Sequence, residues 1–396
     1  MKKIILYVHQ SADLYGSDRV LLALVSKLDK ERFLPIVLLP VDGPLRNELE
    51  AAGIEYHVIA ITRLARATLS VRGLLRLPND LFHSLRAINR VLAGRKVSLV
   101  HTNTLAVLSA PLWARWYRIP HVWHVHEIIV HPVFVRKAYS YLLNCFADCI
   151  ICVSHATKAS LVQDQPALAN KIEVAWNGLE RNSVVDETAV RLYREQLSVV
   201  SGEVLVALVG RINRWKGQAI LVEAANLLWQ QDVRNVRYLV VGSAPEGQAH
   251  FLNELQYSIA QSPAKENFIL QGFTSNLWTV WDSCDIAVIP STEPEPFGMV
   301  ALEAMASAKP VIAADHGGLT EIVMQGVTGL LVPPANALAL ADAIKVLASD
   351  AALRNKMGNA GELRYQREFT LNRYIVNIIH VYESVDSSFK LSSTKF

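Results

Sequence analysis

The run EVLVALVGRINRWKG, residues 203–217, decides how this chain is read. Val204 to Val209 are apolar at consecutive positions, the pattern of a strand covered on both faces. Gly210 ends that run, and a helical pattern opens at Gly217. A buried strand that passes through a short loop into a helix is half of a βαβ unit. The alternation continues downstream, with strands expected at 237–241, 267–270, 285–289 and 310–313 and helices at 217–230, 248–261, 275–282, 298–307 and 336–348. Upstream, strands at 3–8, 34–40, 55–59, 97–101, 120–125 and 148–153 alternate with helices at 17–29, 43–52, 79–93, 104–117, 134–146 and 155–164. The turn pair Asn177-Gly178 and a polar stretch to about residue 200 separate the two series. The fold class is therefore α/β, with two facing Rossmann-like, doubly wound parallel-sheet domains and an interdomain cleft. Residues 1–178 form the first domain, 179–200 a linker and 201–370 the second domain. Residues 371–396 are expected as a helix packing back on the first domain, then a tail. Ligands in open α/β sheets bind beyond the carboxyl ends of the strands, so two such sheets facing each other make a deep cleft.

Composition bounds the class. Of 396 residues, 51% are hydrophobic and 19% charged, which supplies a large core and excludes wholesale disorder. No uninterrupted apolar run approaches the ~18 residues of a membrane span. The start, MKKIILYVHQSAD, imitates a secretory signal, but its apolar run is short and no small-residue cleavage site follows. It reads as the first strand of a cytoplasmic protein, free or peripheral on the inner membrane face. The net charge of +3 divides into +9 over residues 1–171 and −6 over the rest. Between residues 61 and 96, Arg63, Arg66, Arg72, Arg76, Arg86, Arg90, Arg95 and Lys96 meet one acid, Asp80, with Leu and Val interleaved. This suits an anionic membrane surface or a phosphate-bearing acceptor, or equally a solvated helix face. Cys145, Cys149 and Cys152 have the spacing of a cluster-binding motif. They span a helix end and a strand, which cannot wrap three thiolates around one cluster, so apolar packing is expected.

Two segments carry chemistry. The loop Gly210 to Gly217 leads into a helix amino terminus, where free N–H groups and the dipole favour anions. Arg211 and Lys216 add two cations there, a combination that would hold a diphosphate and stabilise its departing charge. Incidental charges on a solvated loop are the alternative. Residues 290–303, PSTEPEPFGMVALE, place Glu295 in a Pro-rich loop, Gly298 at a helix start and Glu303 inside that helix. Such a carboxylate pair suits hydroxyl-rich partners such as a hexose and a ribose. The amides of Gly298, Met299 and Val300 offer donors to phosphate or sugar oxygens. Alternatively Glu303 caps or pairs within the core.

Glu295 to Glu303 resembles the E-x7-E element of the retaining glycosyltransferases of family 4, which have the GT-B fold. Leu239 to Ser243 (with Gly242) resembles the family's strand–glycine turn, and Phe268 to Phe273 its base-contacting segment. Leu302 to Ala306, Lys309 to Ile312, Gly317-Gly318 and Gly329 to Pro333 resemble the rest of the donor-domain signature. Ala308 stands where the family usually has glycine, tolerable if the turn there is not left-handed. In the first domain, Tyr15-Gly16-Ser17-Asp18 resembles the glycine-rich loop G-G-x-E, with its second glycine replaced and its acid shortened. By the same resemblance, His126 in Trp123-His124-Val125-His126-Glu127 approaches the donor hexose near its C6 hydroxyl. His124, two residues away, competes for that role. The resemblance implies donor contacts from Gly16, Gly210, Gly242, Phe273, Phe297, Gly298, Met299, Val300 and Glu303. His126, Arg211, Lys216 and Glu295 would carry the catalysis. Asn103 and Ser154, at other strand ends, and His124 are acceptor-side candidates.

No D-x-D carboxylate pair is present to hold a divalent cation on the diphosphate, so Arg211 and Lys216 are expected to replace the metal, with no cofactor required. The expected reaction transfers a hexosyl group with retention from a UDP- or GDP-linked donor to a saccharide or lipid-linked acceptor, in surface polysaccharide or glycolipid assembly. Nucleic acid is not an expected partner. The competing readings are a non-hydrolysing nucleotide-sugar epimerase and an inactive nucleotide-sugar-binding module. A dinucleotide-dependent oxidoreductase would need G-x-G-x-x-G after a first strand, which neither half provides.

Overall fold

The computed structural model describes residues 2–64, 68, 70–181 and 184–393. The chain divides into two units, Met1–Gly178 with Leu371–Phe396, and Leu179–Thr370. The first carries strands β1 (Lys3–His9), β2 (Phe33–Leu39), β3 (Glu55–Val58), β4 (Val97–Asn103), β5 (His121–Val125), β6 (Cys149–Cys152) and β7 (Ile172–Val174). They pair in the order β3-β2-β1-β4-β5-β6-β7, parallel throughout. Parallel neighbours need crossovers, supplied by α1 (Gly16–Lys27), α2 (Pro44–Ala51), α3 (Val71–Leu92), α4 (Ser109–Tyr117), α5 (Val133–Phe146) and α6 (His155–Asp164). Helices on both faces explain why β1 is buried from Ile5 to His9 without alternation.

In the second unit, β8 (Val204–Val209), β9 (Val236–Val241), β10 (Phe268–Gln271), β11 (Ile286–Ile289), β12 (Val311–Ala314) and β13 (Gly329–Val332) pair in the order β10-β9-β8-β11-β12-β13. This sheet too is parallel throughout. Its helices are α7 (Glu187–Gln196), α8 (Gln218–Gln230), α9 (His250–Gln261), α10 (Leu277–Ser283), α11 (Met299–Ala306), α12 (Leu319–Ile322), α13 (Ala337–Ser349) and α14 (Ala351–Glu368). The strand order reverses between β1 and β4 in one unit and between β8 and β11 in the other. These are the switch points where an open α/β sheet parts its loops and leaves a crevice for ligand.

α15 (Leu371–Ser393) belongs to the first unit. Its Tyr382 hydroxyl bonds Tyr7 Oη at 2.9 Å and His101 Nδ1 at 2.8 Å inside the core, and its Asp386 pairs with Lys3 at 2.8 Å.

Three segments differ from expectation. α3 starts at Val71, capped by Ser70, whose hydroxyl accepts from Gly73 N–H at 3.1 Å, and runs through Pro78. Pro78 is exposed, so the carbonyl that loses its helical partner faces water. The stretch expected as linker contains α7, which buries no residue and is held by ion pairs: Arg194 to Asp285 at 3.1 Å, while Arg181 ahead of it reaches Asp282 at 2.6 Å. Its Val190 and Tyr193 are only half-buried, a stripe too short to announce a helix by its period. The turn at Ala308 is left-handed, φ 51°, so the condition under which alanine would be tolerated is not met. The turn is imposed by Ala308 N–H on Met305 O and Lys309 N–H on Ala304 O, each at 3.0 Å.

Cys149 and Cys152 are buried in β6 and Cys145 is exposed at the end of α5. Among the described residues no three His, Cys, Asp or Glu side chains gather to hold a metal, and no helix is long and apolar enough to cross a membrane. Arg66 lies outside the described residues.

Candidate active site

At the switch point of the second unit, the loop after β8 is shaped by Asn213, whose Oδ1 accepts the N–H groups of Trp215 at 3.2 Å and Lys216 at 3.1 Å. Gly217 closes it at φ 78°; a Cβ there would stand 2.0 Å from the Pro290 carbonyl oxygen, so only glycine lets the loop lie against the end of β11. Lys216 Nζ thereby reaches Glu295 Oε1 at 2.6 Å, and Ser291 Oγ donates to the same oxygen at 2.6 Å. His316 donates from Nε2 to the Ser291 carbonyl at 2.9 Å. Gly317, φ 63°, leaves no room for a Cβ over the Glu295 backbone, and Gly318 N–H bonds the Glu295 carbonyl at 2.8 Å. Burial pushes the Glu295 carboxyl up, but the charge and hydrogen bond of Lys216 and the Ser291 hydroxyl outweigh it and hold the group below the ordinary carboxylate range.

Around this pair, Arg211 is partly buried in the β8 loop, its carbonyl receiving the Gln218 amide at 2.9 Å. Gly242 packs on the Gly210 carbonyl, which ties the ends of β8 and β9 together. Phe273 is 63% exposed beyond β10, its N–H on Ser243 Oγ at 3.1 Å. Gly298 caps α11, with Met299 and Val300 in its first turn. Glu303 is buried within α11 and accepts the Trp281 indole N–H at 3.2 Å. Phe297 turns its ring into the core, edge-on to Phe369 at 6.2 Å, which leaves its backbone to face the loop.

At the switch point of the first unit, His9 ends β1, Asn103 ends β4 and His126 follows β5. His126 Nε2 lies 3.0 Å from Asn103 Oδ1, and Asn103 Nδ2 lies 3.0 Å from His9 Nδ1. His9 Nε2 is 2.7 Å from Asp18 Oδ1, which also accepts Ser11 Oγ at 2.5 Å; Asp18 Oδ2 takes Tyr15 N–H at 3.0 Å. Burial pushes the His126 imidazole down to about 3, and the neighbouring His9 reinforces the shift. Glu127 accepts N–H groups from Leu105 and His126, yet burial raises its carboxyl to about 7.

The structure separates the two competing histidines. His126 is partly exposed, whereas His124 is enclosed, its ring tilted 40° to that of His126 with centroids 4.0 Å apart, and among the described residues neither of its ring nitrogens has a hydrogen-bond partner. Two acceptor-side candidates already hold hydrogen-bond partners within the unit. The Asn103 amide is occupied at both ends by histidines, and the buried Ser154 hydroxyl caps α6 by accepting Thr157 N–H at 2.9 Å. Gly16 opens α1 with open space where a side chain would be.

The family description "Glycosyl transferases group 1" matches residues 190–364, and "Glycosyltransferase Family 4" matches residues 16–182. This chain is a family 4 glycosyltransferase with the GT-B fold. It superposes on Anabaena Alr3699/HepE, solved in complex with UDP and glucose, with TM-score 0.82 and 26% identity over 96% of this chain and 99% of that one. Sucrose-phosphate synthase from Thermosynechococcus elongatus, 21% identical with TM-score 0.79 over 98% and 100% of the two chains, shares the fold. The D-inositol 3-phosphate glycosyltransferase of Corynebacterium glutamicum (strain R) is 33% identical over 54% of this chain, and the match spans about half (51%) of that enzyme. The alpha-maltose-1-phosphate synthase of Mycolicibacterium smegmatis is 28% identical over 76% of this chain and 82% of its own length.

In this glycosyltransferase the sequence reading missed Asn213, Ser291 as the partner of Glu295, His316, His9 and Ser11, and it read Asp18 only as the shortened acid of the glycine-rich loop. Each except Asp18 lies within about four residues of a strand's carboxyl end, and all four strands concerned (β1, β8, β11 and β12) reach their units' switch points or adjoin them. Reading polar residues immediately beyond each strand would have found them.

Proposed function

We propose that this glycosyltransferase moves a hexosyl group, with retention and without a metal ion, from a nucleotide-diphosphate sugar to a saccharide or lipid-linked saccharide. The observation that carries the reading is Lys216 at 2.6 Å from Glu295, on a loop that also holds Arg211 at a helix amino terminus. Before donor binds, Lys216 is neutralised by Glu295. A diphosphate arriving at the helix start takes over the lysine charge, and the freed carboxylate turns to accept a hexose hydroxyl. Arg211 and Lys216 then stabilise the charge that builds on the departing diphosphate. Glu303 accepts from the ribose, Gly210, Gly242, Gly298, Met299 and Val300 supply backbone contacts, and Phe273 lies beside the base. His126 serves the hexose, and a donor phosphate oxygen takes the acceptor proton. The UDP and glucose bound by the Anabaena protein support a UDP-hexose donor.

The exposed face of α3 supports a membrane-proximal acceptor. Val71 and Leu75 are 76% and 78% exposed, Leu74 and Phe82 are exposed, and Arg72, Arg76, Arg86 and Arg90 stand among them. A thermal-shift screen over UDP- and GDP-sugars, followed by nucleotide release with and without a lipid-linked saccharide, tests the reading. Nucleotide released only with acceptor supports transfer. An isomerised donor, or binding without turnover, contradicts it.

A further inference from the structure

Asp18, His9, Asn103 and His126 come from α1, β1, β4 and the segment after β5, and they form one unbroken hydrogen-bond chain. The chain has a direction. Asp18 is a carboxylate, held below its ordinary range against the pull of burial by His9, Ser11 and the Tyr15 amide. A carboxylate only accepts, so the proton of His9 sits on Nε2. Asn103 Nδ2, 3.0 Å from His9 Nδ1, can only donate, so Nδ1 accepts; the Asn103 backbone carbonyl, at 3.4 Å, is the weaker neighbour. That orientation turns Asn103 Oδ1 toward His126, and an amide oxygen only accepts. His126 must therefore carry its proton on Nε2.

The support beneath this chain is strained into place. Thr104, directly after Asn103, has φ 88°, a rare conformation for a β-branched residue. It is pinned by its N–H on the His124 carbonyl at 2.8 Å and by the Trp123 indole N–H on its own carbonyl at 2.9 Å. Strain held by such contacts is characteristic of pre-organised sites.

We propose that Asp18, His9 and Asn103 are positioning residues that lock His126 in the Nε2–H tautomer, leaving Nδ1 as an acceptor for a donor-hexose hydroxyl. The tautomer follows from the chain alone; the hexose contact rests on the functional reading above. A hydroxyl satisfies a bare Nδ1, whereas a carboxylate at the same carbon is repelled and a donor lacking that carbon loses the bond.

The test is a long-range 1H–15N correlation on the full chain labelled with [15N]histidine, the His126 signals being assigned by their loss in His126→Gln. Wild type should show His126 protonated at Nε2 only; a proton on Nδ1 overturns the proposal. Asp18→Asn, which removes a charge remote from His126, should release a tautomer mixture at His126, and an unchanged His126 pattern overturns the relay. If that variant fails to fold, the Asn103 pair decides. Asn103→Asp keeps an acceptor opposite His126 and preserves the wild-type pattern, whereas Asn103→Leu loses it; identical patterns in both contradict the proposal. On the kinetic side, Asp18→Asn should lower kcat about tenfold with KM for UDP-glucose within about twofold, as loss of a transition-state contact requires. A released tautomer with unaltered kcat overturns the hexose contact and leaves the relay supported.

Discussion

Replacing Lys216 with methionine removes one charge of the central pair at nearly constant shape. The two side chains are 21% and 12% exposed, so the Glu295 carboxylate would be left largely desolvated with the Ser291 hydroxyl as its main support. Breaking a fully buried pair costs about 3–5 kcal/mol, and the residual exposure here brings the expected loss to about 2–3 kcal/mol. Glu295→Gln strands the ammonium instead, which keeps more water, and should cost about 1–2 kcal/mol. The double variant removes both charges and should lose only about 1–2 kcal/mol, so the two changes couple by about 2 kcal/mol. Urea unfolding of the full chain, read by hydrogen exchange at amides of α8 and α11, reports on the second unit separately. Binding adds a second sign. Glu295→Gln frees the lysine, so UDP should bind as tightly as to wild type or more so, while Lys216→Met should weaken it at least about tenfold, the scale of a charge-assisted contact. Additive losses in the cycle, or a Lys216→Met protein as stable as wild type, would refute the reasoning.

Ala308→Gly should stabilise the second unit by about 1 kcal/mol, the left-handed penalty of about 1–2 kcal/mol less the extra chain entropy of glycine; equal urea midpoints would contradict it. Acid should weaken the first unit. Burial holds His101 and His126 near 3 and His121 near 4, so the native state stays neutral while the unfolded chain takes up protons below about 6.5. Each histidine thus withdraws about 2 kcal/mol between pH 7 and 5. Glu127, raised to about 7, keeps in the native state a proton that the unfolded chain releases above about 4.5, and it offsets one of them. His124, which burial also holds well below its ordinary value, adds a fourth such loss, so a net loss of about 6 kcal/mol is expected from denaturant titrations at the two pH values, and a flat profile would contradict it. Replacing Arg72, Arg76, Arg86 and Arg90 with glutamine should abolish co-sedimentation with anionic liposomes, each charge contributing about 1 kcal/mol near such a surface; unchanged binding would remove the membrane from the account.

The strands were legible because a sheet covered on both faces must be apolar at consecutive positions, as in Val204 to Val209. β7, three residues long, and α7, with no buried face, carry too little pattern to be seen. The first two turns of α3 were left out of the expected helix at 79–93, and Pro78, on an exposed turn, does not interrupt it. In the site, Glu295, Lys216 and Arg211 were visible because charged residues in apolar surroundings demand a purpose. Their pairing was not visible, since it depends on how Gly217 and Gly317 bring three loops from distant parts of the chain together. The relay was hidden for the same reason. His9 looks ordinary alone, and only the order β1-β4-β5 puts it beside Asn103 and His126.

The central claim is that two side-chain cations, Arg211 and Lys216, take the place of a metal ion on the donor diphosphate. Nucleotide release from UDP-glucose, measured with acceptor in excess chelator for wild type and Lys216→Met, tests it most directly. Full wild-type turnover in chelator with a loss of at least about a hundredfold in the variant is predicted, the range for removing one group that stabilises transition-state charge. Wild-type activity that vanishes with chelator and returns with a divalent cation, or a variant that turns over normally, would contradict it.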